Sequence, residues 1–343
     1  MTILEIARKA GVSKSTVSYA LRDDPNICRA TRLRIRKIAD RLGYRPDPLV
    51  AKLMSHLHGG PSKRHAGVMA FVNLTETKDF HSHQPVLNTF VEGAARRADA
   101  LGYKLENFWF HEPGISPNRL GQILRNRGIK GILFGSTTHR GSQVDFPWKD
   151  FSVLTVGYSI AHPLLHRVVT HHYRNAMLAI RNAVAAGCRR IGFVINKAQD
   201  AYMDDLHAAA VYAFQAGIPR ANRVRPLLLK DLAPRSLEPI APWFHQHAPD
   251  VILCAGLSLE HIRTSGIDVP SEVPGIELLI VHPSPNVAGI NPRYDLLGGM
   301  AVNLLASHLQ HDEFGVPEVP VILQVEGSWH PGSSFPTPLN KRI

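Results

Sequence analysis

A chain of 343 residues has room for two or three domains and at least one sizeable core. Its 44% apolar and 20% charged residues are those of a folded globular protein and exclude a disordered chain. The net charge of +11 is unevenly placed: residues 1–58 hold 12 Lys and Arg against 5 Asp and Glu, a balance of +7, and the other 285 residues share +4. A concentrated positive segment points to a polyanion partner, although a solvated basic surface would have the same count. Cys28, Cys188 and Cys254 are odd in number and far apart. They fit no disulfide framework and no C-x-x-C pair, as expected in a reducing, cytoplasmic setting. Glu5 stands where a signal peptide would continue its apolar run, and no stretch approaches about 18 apolar residues. Neither secretion nor a membrane span is expected.

In chain order, Thr2 can cap a helix carrying Ile3, Ile6, Ala7 and Ala10 on one face, with Glu5 completing a capping box. Gly11 stops it, since glycine tolerates the left-handed cap. Ser13 caps a second helix over 14–21 with Val17 and Leu21 inward, and Asp23, Asp24 and Pro25 end it. A third helix over about 30–42 places Leu33, Ile38 and Leu42 on or near its apolar face and Arg32, Arg36, Lys37 and Arg41 elsewhere. Gly43 terminates it. Two short helices joined across Gly11-Val12-Ser13, covered by a third, have the geometry of a helix-turn-helix. A small bundle with no nucleic-acid role would satisfy the same packing.

Pro46, Pro48, Pro61 and Gly59-Gly60 then mark a linker around PLVAKLMSHL. An isolated helix this short is marginal in water, so it is expected to fold only with a partner. The residues from 49 to 57 would otherwise serve as a plain linker with Leu49, Leu53 and Leu57 packed on the body.

After Gly67 the periodicity changes. Strands are expected at 68–73, 103–110, 128–136 and 152–158, with helices at 84–100 and 117–127 between them. This is the rhythm of a parallel sheet covered on both faces. It restarts with 168–170, a helix over 173–186, a strand at 190–195 and a helix over 202–216. Strands at 224–229, 251–256 and 276–281, a helix over 295–310 and a strand at 321–325 continue it. Two α/β halves in tandem are expected to enclose a cleft, because open sheets place ligands beyond the carboxyl ends of their strands.

The glycines of GIKGILFG lack dinucleotide spacing. His111, the pair His171-His172, and His81 with His83 lack convincing metal-ligand spacing, so no metal and no cofactor are expected. Ser136 and Ser258 follow strands outside any G-x-S-x-G, and no nucleophile, base and orienting acid assemble, so no enzyme is expected.

Residues 7–18 read A-x-x-A-G-V-S-x-x-T-V-S and residues 42–46 read L-G-Y-x-P. In this fixed relation the segment resembles the DNA-binding head of the lactose-repressor (LacI/GalR) family, and the later α/β region resembles that family more loosely. The resemblance implies a three-helix head with a hinge helix, joined to a two-lobed periplasmic-binding-protein-like body with parallel sheets. It implies a transcription regulator, more often repressor than activator, bound as a homodimer to a near-palindromic double-stranded DNA operator. Lys14, Ser15 and Tyr19 would read base edges, and Ser13, Thr16, Ser18, Arg22 and Arg29 would hold phosphates. Local capping would equally explain Thr16 and Ser18. Val50 and Ala51 would let two hinge helices approach while Leu53 wedges into the minor groove. Cys28 stands where the family usually caps its third helix with Ser or Thr, and Tyr19 where it often has Arg or His.

The domains implied are a head at 1–46, a hinge at 47–65, a first lobe of 66–158 plus about 289–318, and a second lobe of 159–288 plus about 319–343. Aligned on the family, cleft positions that often carry charged or amide groups fall on Gly157, Asp205, Gly256-Leu257 and His172-Tyr173. These departures put a standard hexose pocket in doubt and leave open a regulator without an effector. Asn73, Thr75, Ser136, His172, Asp205, Ser258 and Asn291 lie near predicted strand ends as candidates for a small-molecule effector, and turn hydrogen bonding would serve each as well. The end PGSSFPTPLNKRI has no leucine heptad, so no coiled-coil tetramer is expected.

Overall fold

The computed structural model describes residues 3–21, 27–42, 67–80, 85–137, 139–281 and 283–335. The chain divides into two compact units, Met1–Arg64 and His65–Ile343.

In the first unit α1 (Ile3–Ala10), α2 (Lys14–Leu21) and α3 (Arg29–Arg41) close on a core of Ile6, Ala7, Ala10, Val17, Ala20, Ile35 and Ala39. Small residues in this core let three short helices approach closely. Arg34 Nη2 donates to Ala10 O at 3.2 Å and ties α3 to the end of α1. The expected inward Leu33 is instead 52% exposed, while Ile35 is fully buried. The helical period explains the correction. Ile35, Ala39 and Leu42 share a stripe at i, i+4 and i+7, and Leu33 lies off it.

The second unit opens with β1 (Gly67–Asn73), α4 (Pro85–Ala100), β2 (Tyr103–Trp109), α5 (Pro117–Asn126), β3 (Gly131–Phe134), β4 (Ser142–Gln143), β5 (Ser152–Val156), β6 (Ile160–His162) and β7 (Arg167–Thr170). It continues with α6 (His172–Ala185), β8 (Ile191–Asn196), α7 (Lys197–Ala201), α8 (Leu206–Ala216), β9 (Leu227–Leu229), α9 (Pro234–Leu237), α10 (Ile240–His247), β10 (Val251–Ala255), α11 (Leu259–Thr264) and β11 (Gly275–Glu277). β12 (Ala288–Asn291), α12 (Tyr294–Gln310), β13 (Ile322–Val325) and β14 (Ser328–His330) close it.

Two six-stranded sheets result, in the orders β13-β7-β5-β3-β1-β2 and β14-β12-β11-β10-β8-β9. The first is parallel throughout, and the second is parallel except for β14. Strand side chains alternate between two cores, as the pleat requires. In the first lobe Met69 and Phe71 face α4 and α12, while Ala70 and Val72 face α5. In the second, Val251, Leu253 and Ala255 face α6 and α8, while Ile252 and Cys254 face α10 and α11. The α4–α12 contact is close enough that a Cβ on Gly93 would fall 2.0 Å from Asp295 O, and one on Gly298 2.0 Å from Phe90 O.

Strand membership corrects the expected lobe boundaries. β7 and β13, assigned by sequence order to the second lobe, lie side by side in the first sheet, and β12 lies in the second. The chain therefore passes between lobes three times: from β7 into α6, from β12 into α12, and from β13 into β14. These passages are tied together. His171 N donates to Val325 O at 2.9 Å, Gly327 N donates to Asn175 Oδ1 at 2.8 Å, and Arg174 pairs with Glu326 at 2.8 Å.

The helix expected over 202–216 starts only at Leu206. Asp204 and Asp205 take left-handed φ values of 60° and 56°, which breaks the run after α7. Asp200 takes over as cap for α8. Its carboxylate accepts from His207 N at 3.2 Å, Ala208 N at 3.0 Å and His207 Nδ1 at 2.9 Å, with both side chains buried. Burial acts to raise the Asp200 pKa, but the His207 hydrogen bond and charge, with the two backbone donors, outweigh it and the net shift is downward.

A lowered carboxylate pKa stabilises the fold above the ordinary value and ceases to do so as pH falls through the lowered one. Acid unfolding of the wild type should therefore steepen below about pH 4. Asp200→Ala should cost about 3–5 kcal/mol at neutral pH, because it strands His207 in the core, and should remove that acid component. Denaturant titrations of both chains between about pH 2 and 7 check this; parallel pH profiles would contradict it.

Candidate nucleic-acid interface and interlobe cavity

In the head, Thr16 N donates to Ser13 Oγ at 3.1 Å, and the two hydroxyls lie 2.8 Å apart, so Ser13 caps α2. The cap holds the start of α2 with Lys14 exposed and Tyr19 47% exposed. Ser15 and Ser18 lie on this same helix. A helix whose N-terminal amides and a lysine face solvent can meet an anionic surface. Cys28 does stand at the start of α3: Arg32 N donates to its carbonyl, and its sulfur lies 3.1 Å from Thr31 Oγ1. The Thr31 hydroxyl lowers the thiol pKa from its ordinary value. Arg29, beside it, is exposed, as are Lys37 and Arg41. Arg22, Val50, Ala51 and Leu53 lie outside the described residues.

Between the two lobes lies a cavity of about 370 Å³. α4 contributes Val86, Leu87 and Phe90, the ends of β3 and β5 contribute Ser136, Val156 and Tyr158, and the β7–α6 passage contributes Val169, Thr170 and His172. Tyr202 and Met203 close it from the second lobe, and Tyr294 and Leu297 from α12. Among the described residues no charged side chain lines it.

Of the seven effector candidates, the structure brings Ser136 and His172 to this cavity. The other five are engaged elsewhere. Asn73 Oδ1 accepts from Thr75 N at 2.9 Å and from Thr75 Oγ1 at 2.8 Å, while its Nδ2 donates to Thr77 O at 2.8 Å. Ser258 Oγ sits 2.8 Å from His261 Nδ1 at the start of α11. Asn291 Oδ1 accepts from Arg293 N at 2.9 Å. Asp205, with Asp204, meets Arg140 from the other lobe, at 3.5 Å and 2.9 Å. Phe90, Tyr158, Thr170, Tyr202 and Tyr294 line the cavity without having been singled out, because the aromatic residues read as core and Thr170 as the last residue of a strand.

His172 is the central polar group. It is 7% exposed, and no described residue hydrogen-bonds its imidazole. It packs edge-on against His207 at 5.1 Å between ring centroids. Burial first, then the neighbouring His207, hold its pKa well below the ordinary range, so the ring is neutral. Burial likewise pushes the Tyr294 phenol upward.

His166, His308 and Glu313 bring ligand atoms within 4.8 Å of one another at the end of α12. Val321 N, however, donates to His166 Nδ1 at 3.0 Å, which leaves the neutral ring's proton on Nε2. His308 Nε2 already faces Glu313 at 3.4 Å. The trio is therefore no ready ligand set for a cation.

The sequence model of the family described as "Bacterial regulatory proteins, lacI family" matches residues 2–47. The chain is 23% identical over 195 residues to the HTH-type transcriptional regulator MalR of Streptococcus pneumoniae, a match covering 57% of this chain and 56% of that relative. It is 24% identical to the HTH-type transcriptional regulator reg1 of Streptomyces lividans, over 91% of this chain and 92% of the relative. Its fold is similar to that of the lac repressor dimer bound to operator and the anti-inducer ONPF, with a TM-score of 0.50 and 16% identity over 96% of this chain and 97% of that one. No described helix is long and apolar enough to cross a membrane. The head, residues 2–47, is thus that of the lacI family of bacterial regulatory proteins, and the body has the fold seen in the lac repressor.

Proposed function

We propose that this regulator is a repressor that binds a near-palindromic operator as a homodimer, under the control of a small molecule held in the interlobe cavity. The observation that carries the reading is the pairing of a basic head, with Lys14 and Tyr19 displayed on α2, and a body whose lobes enclose 370 Å³ at their three chain passages. A single head offers only a few base contacts. Two heads on one duplex share a high effective concentration, and their symmetry is mirrored in the site. Lys14, Ser15 and Tyr19 read base edges in this reading, and Ser13, Thr16, Ser18, Arg22 and Arg29 fix register on phosphates. The short segment with Val50, Ala51 and Leu53 folds against its dimer mate on the DNA. A ligand that favours one lobe arrangement over another shifts that pairing by its differential affinity alone.

Arg140 pairs with Asp204 and Asp205 across the two lobes, and all three side chains are about half exposed. The pairing is worth no more than about 1 kcal/mol of stability in such surroundings. As a bias between open and closed lobes, the same energy changes a population about fivefold.

Selection of bound DNA from a random pool by the full chain should return a two-fold symmetric site. Affinity should drop roughly a thousandfold between about 50 and 200 mM salt if six or more phosphates are neutralised. Lys14→Ala should lose about 1–3 kcal/mol on the selected site and much less on random DNA. Equal losses on both would make Lys14 a backbone contact.

Leu53→Ala should leave dimerisation intact and reduce both operator bending and specific affinity more than binding to random DNA. An unchanged bend, read by electrophoretic or scattering methods, would contradict a minor-groove role. Arg140→Ala should shift thermal stability by less than about 1 kcal/mol while altering operator affinity. If operator affinity is unaltered, lobe closure does not govern the head.

A further inference from the structure

The chemistry of the cavity narrows what it can hold. Nine polar side chains line it, three of them tyrosines, and three of the others are already committed to the protein. Ser136 Oγ donates to Val156 O at 3.0 Å, Ser159 Oγ accepts from Thr137 N at 2.9 Å, and Thr137 Oγ1 donates to His139 O at 2.6 Å. Gln199 is exposed at the rim. Apart from the tyrosines, that leaves Thr170 and His172, two residues apart at the β7–α6 passage, 3% and 7% exposed. Thr170 Oγ1 is sealed from the cavity, with the Tyr294 hydroxyl beside it. The His172 imidazole has no hydrogen-bond partner among the described residues. The remaining wall is apolar or aromatic: Phe90, Tyr158, Tyr202 and Tyr294 with aliphatic neighbours.

Resting on the reading of this cavity as the effector site, we propose that its ligand is a neutral, ring-bearing molecule with a single hydroxyl or carbonyl group, seated with that group on His172. A neutral imidazole supplies one donor and one acceptor, so one polar group satisfies this end. A polyhydroxylated sugar would bury further hydroxyls against a wall that is mostly aliphatic and aromatic carbon, each at a desolvation cost. A charged ligand meets no counter-charge among the described lining residues. Size agrees. An apolar cavity of about 150 Å³ accepts benzene, so 370 Å³ accommodates two fused rings with room for a substituent.

The test uses the full chain with three probes: 2-naphthol, its anionic counterpart 2-naphthoate, and glucose. Equilibrium dialysis and calorimetry should show saturable one-to-one binding of 2-naphthol, at least tenfold tighter than either other probe. His172→Phe, folded by circular dichroism, should weaken 2-naphthol roughly tenfold, the share of one hydrogen bond. Val86→Trp, which fills the cavity from α4, should abolish binding and locates the site even if the His172 variant fails to fold. Glucose or 2-naphthoate binding as tightly as 2-naphthol would overturn the proposal. So would unsaturable 2-naphthol uptake, no uptake, or binding that is indifferent to Val86→Trp. Site-specific 2-naphthol binding with operator affinity unmoved would uphold the ligand class and refute control of the head from this cavity.

Discussion

Three passages of chain cross between the lobes of the body, and they cross side by side. His171 N bonded to Val325 O joins the first passage to the third, and Asn175 holding Gly327 N repeats the tie one turn into α6. A Cβ on Gly327 would fall 2.6 Å from Asn291 O, so the passage from β12 also lies against this point. Neighbouring, hydrogen-bonded passages restrict the lobes to rotation about one line, since any large translation would break the ties together. The floor of the cavity is built from the first passage, and Thr170 and His172 are its residues. The cavity wall and the lobe angle are thereby set by the same few atoms.

Two kinds of physics are kept apart along the chain. The head gathers charge and displays it on short helices whose small core, with Ala7, Ala10, Ala20 and Ala39, leaves little apolar bulk. Its dealings with a polyanion are long-ranged and salt-dependent. The body relies on packing. Four apolar clusters on the two faces of two sheets define its shape, and the cavity between lobes has neutral walls. Burial that keeps His172 uncharged also preserves its two distinct hydrogen-bonding roles. The buried charge nearby, Asp200, is answered completely by His207 and the amides at the start of α8, so it fixes a corner of the wall without charging the cavity.

Much of this was legible in the residues. The turn at Gly11-Val12-Ser13 with its flanking apolar spacing reads directly as two short helices, because caps and turns act over three or four residues. The α/β alternation of the body is equally local, since apolar runs of four to seven residues between amphipathic stretches leave little choice of element. Leu33 shows the limit: an apolar residue one step off the buried stripe is invisible without knowing which face the other helices cover.

Sequence order by itself could not decide which strand joins which sheet. β13 lies beside β7 across about 150 residues of chain, and only the packed fold rewards that pairing with two buried faces. The cavity had the same limitation. Ser136, Ser258 and Asn291 look alike at strand ends, yet the last two are engaged by residues three and two positions on, and the packed lobes open the first to the cleft. Whether a polar side chain is available depends on its neighbours in space, and His172 is a buried group without a partner among the described residues only in the packed fold. Residue types and their short spacings determined the head, the elements and the charge of this protein. The assignment of strands to lobes, the neutral cavity and the unpartnered imidazole of His172 were decided by long-range packing, because burial and satisfaction are properties of the folded whole.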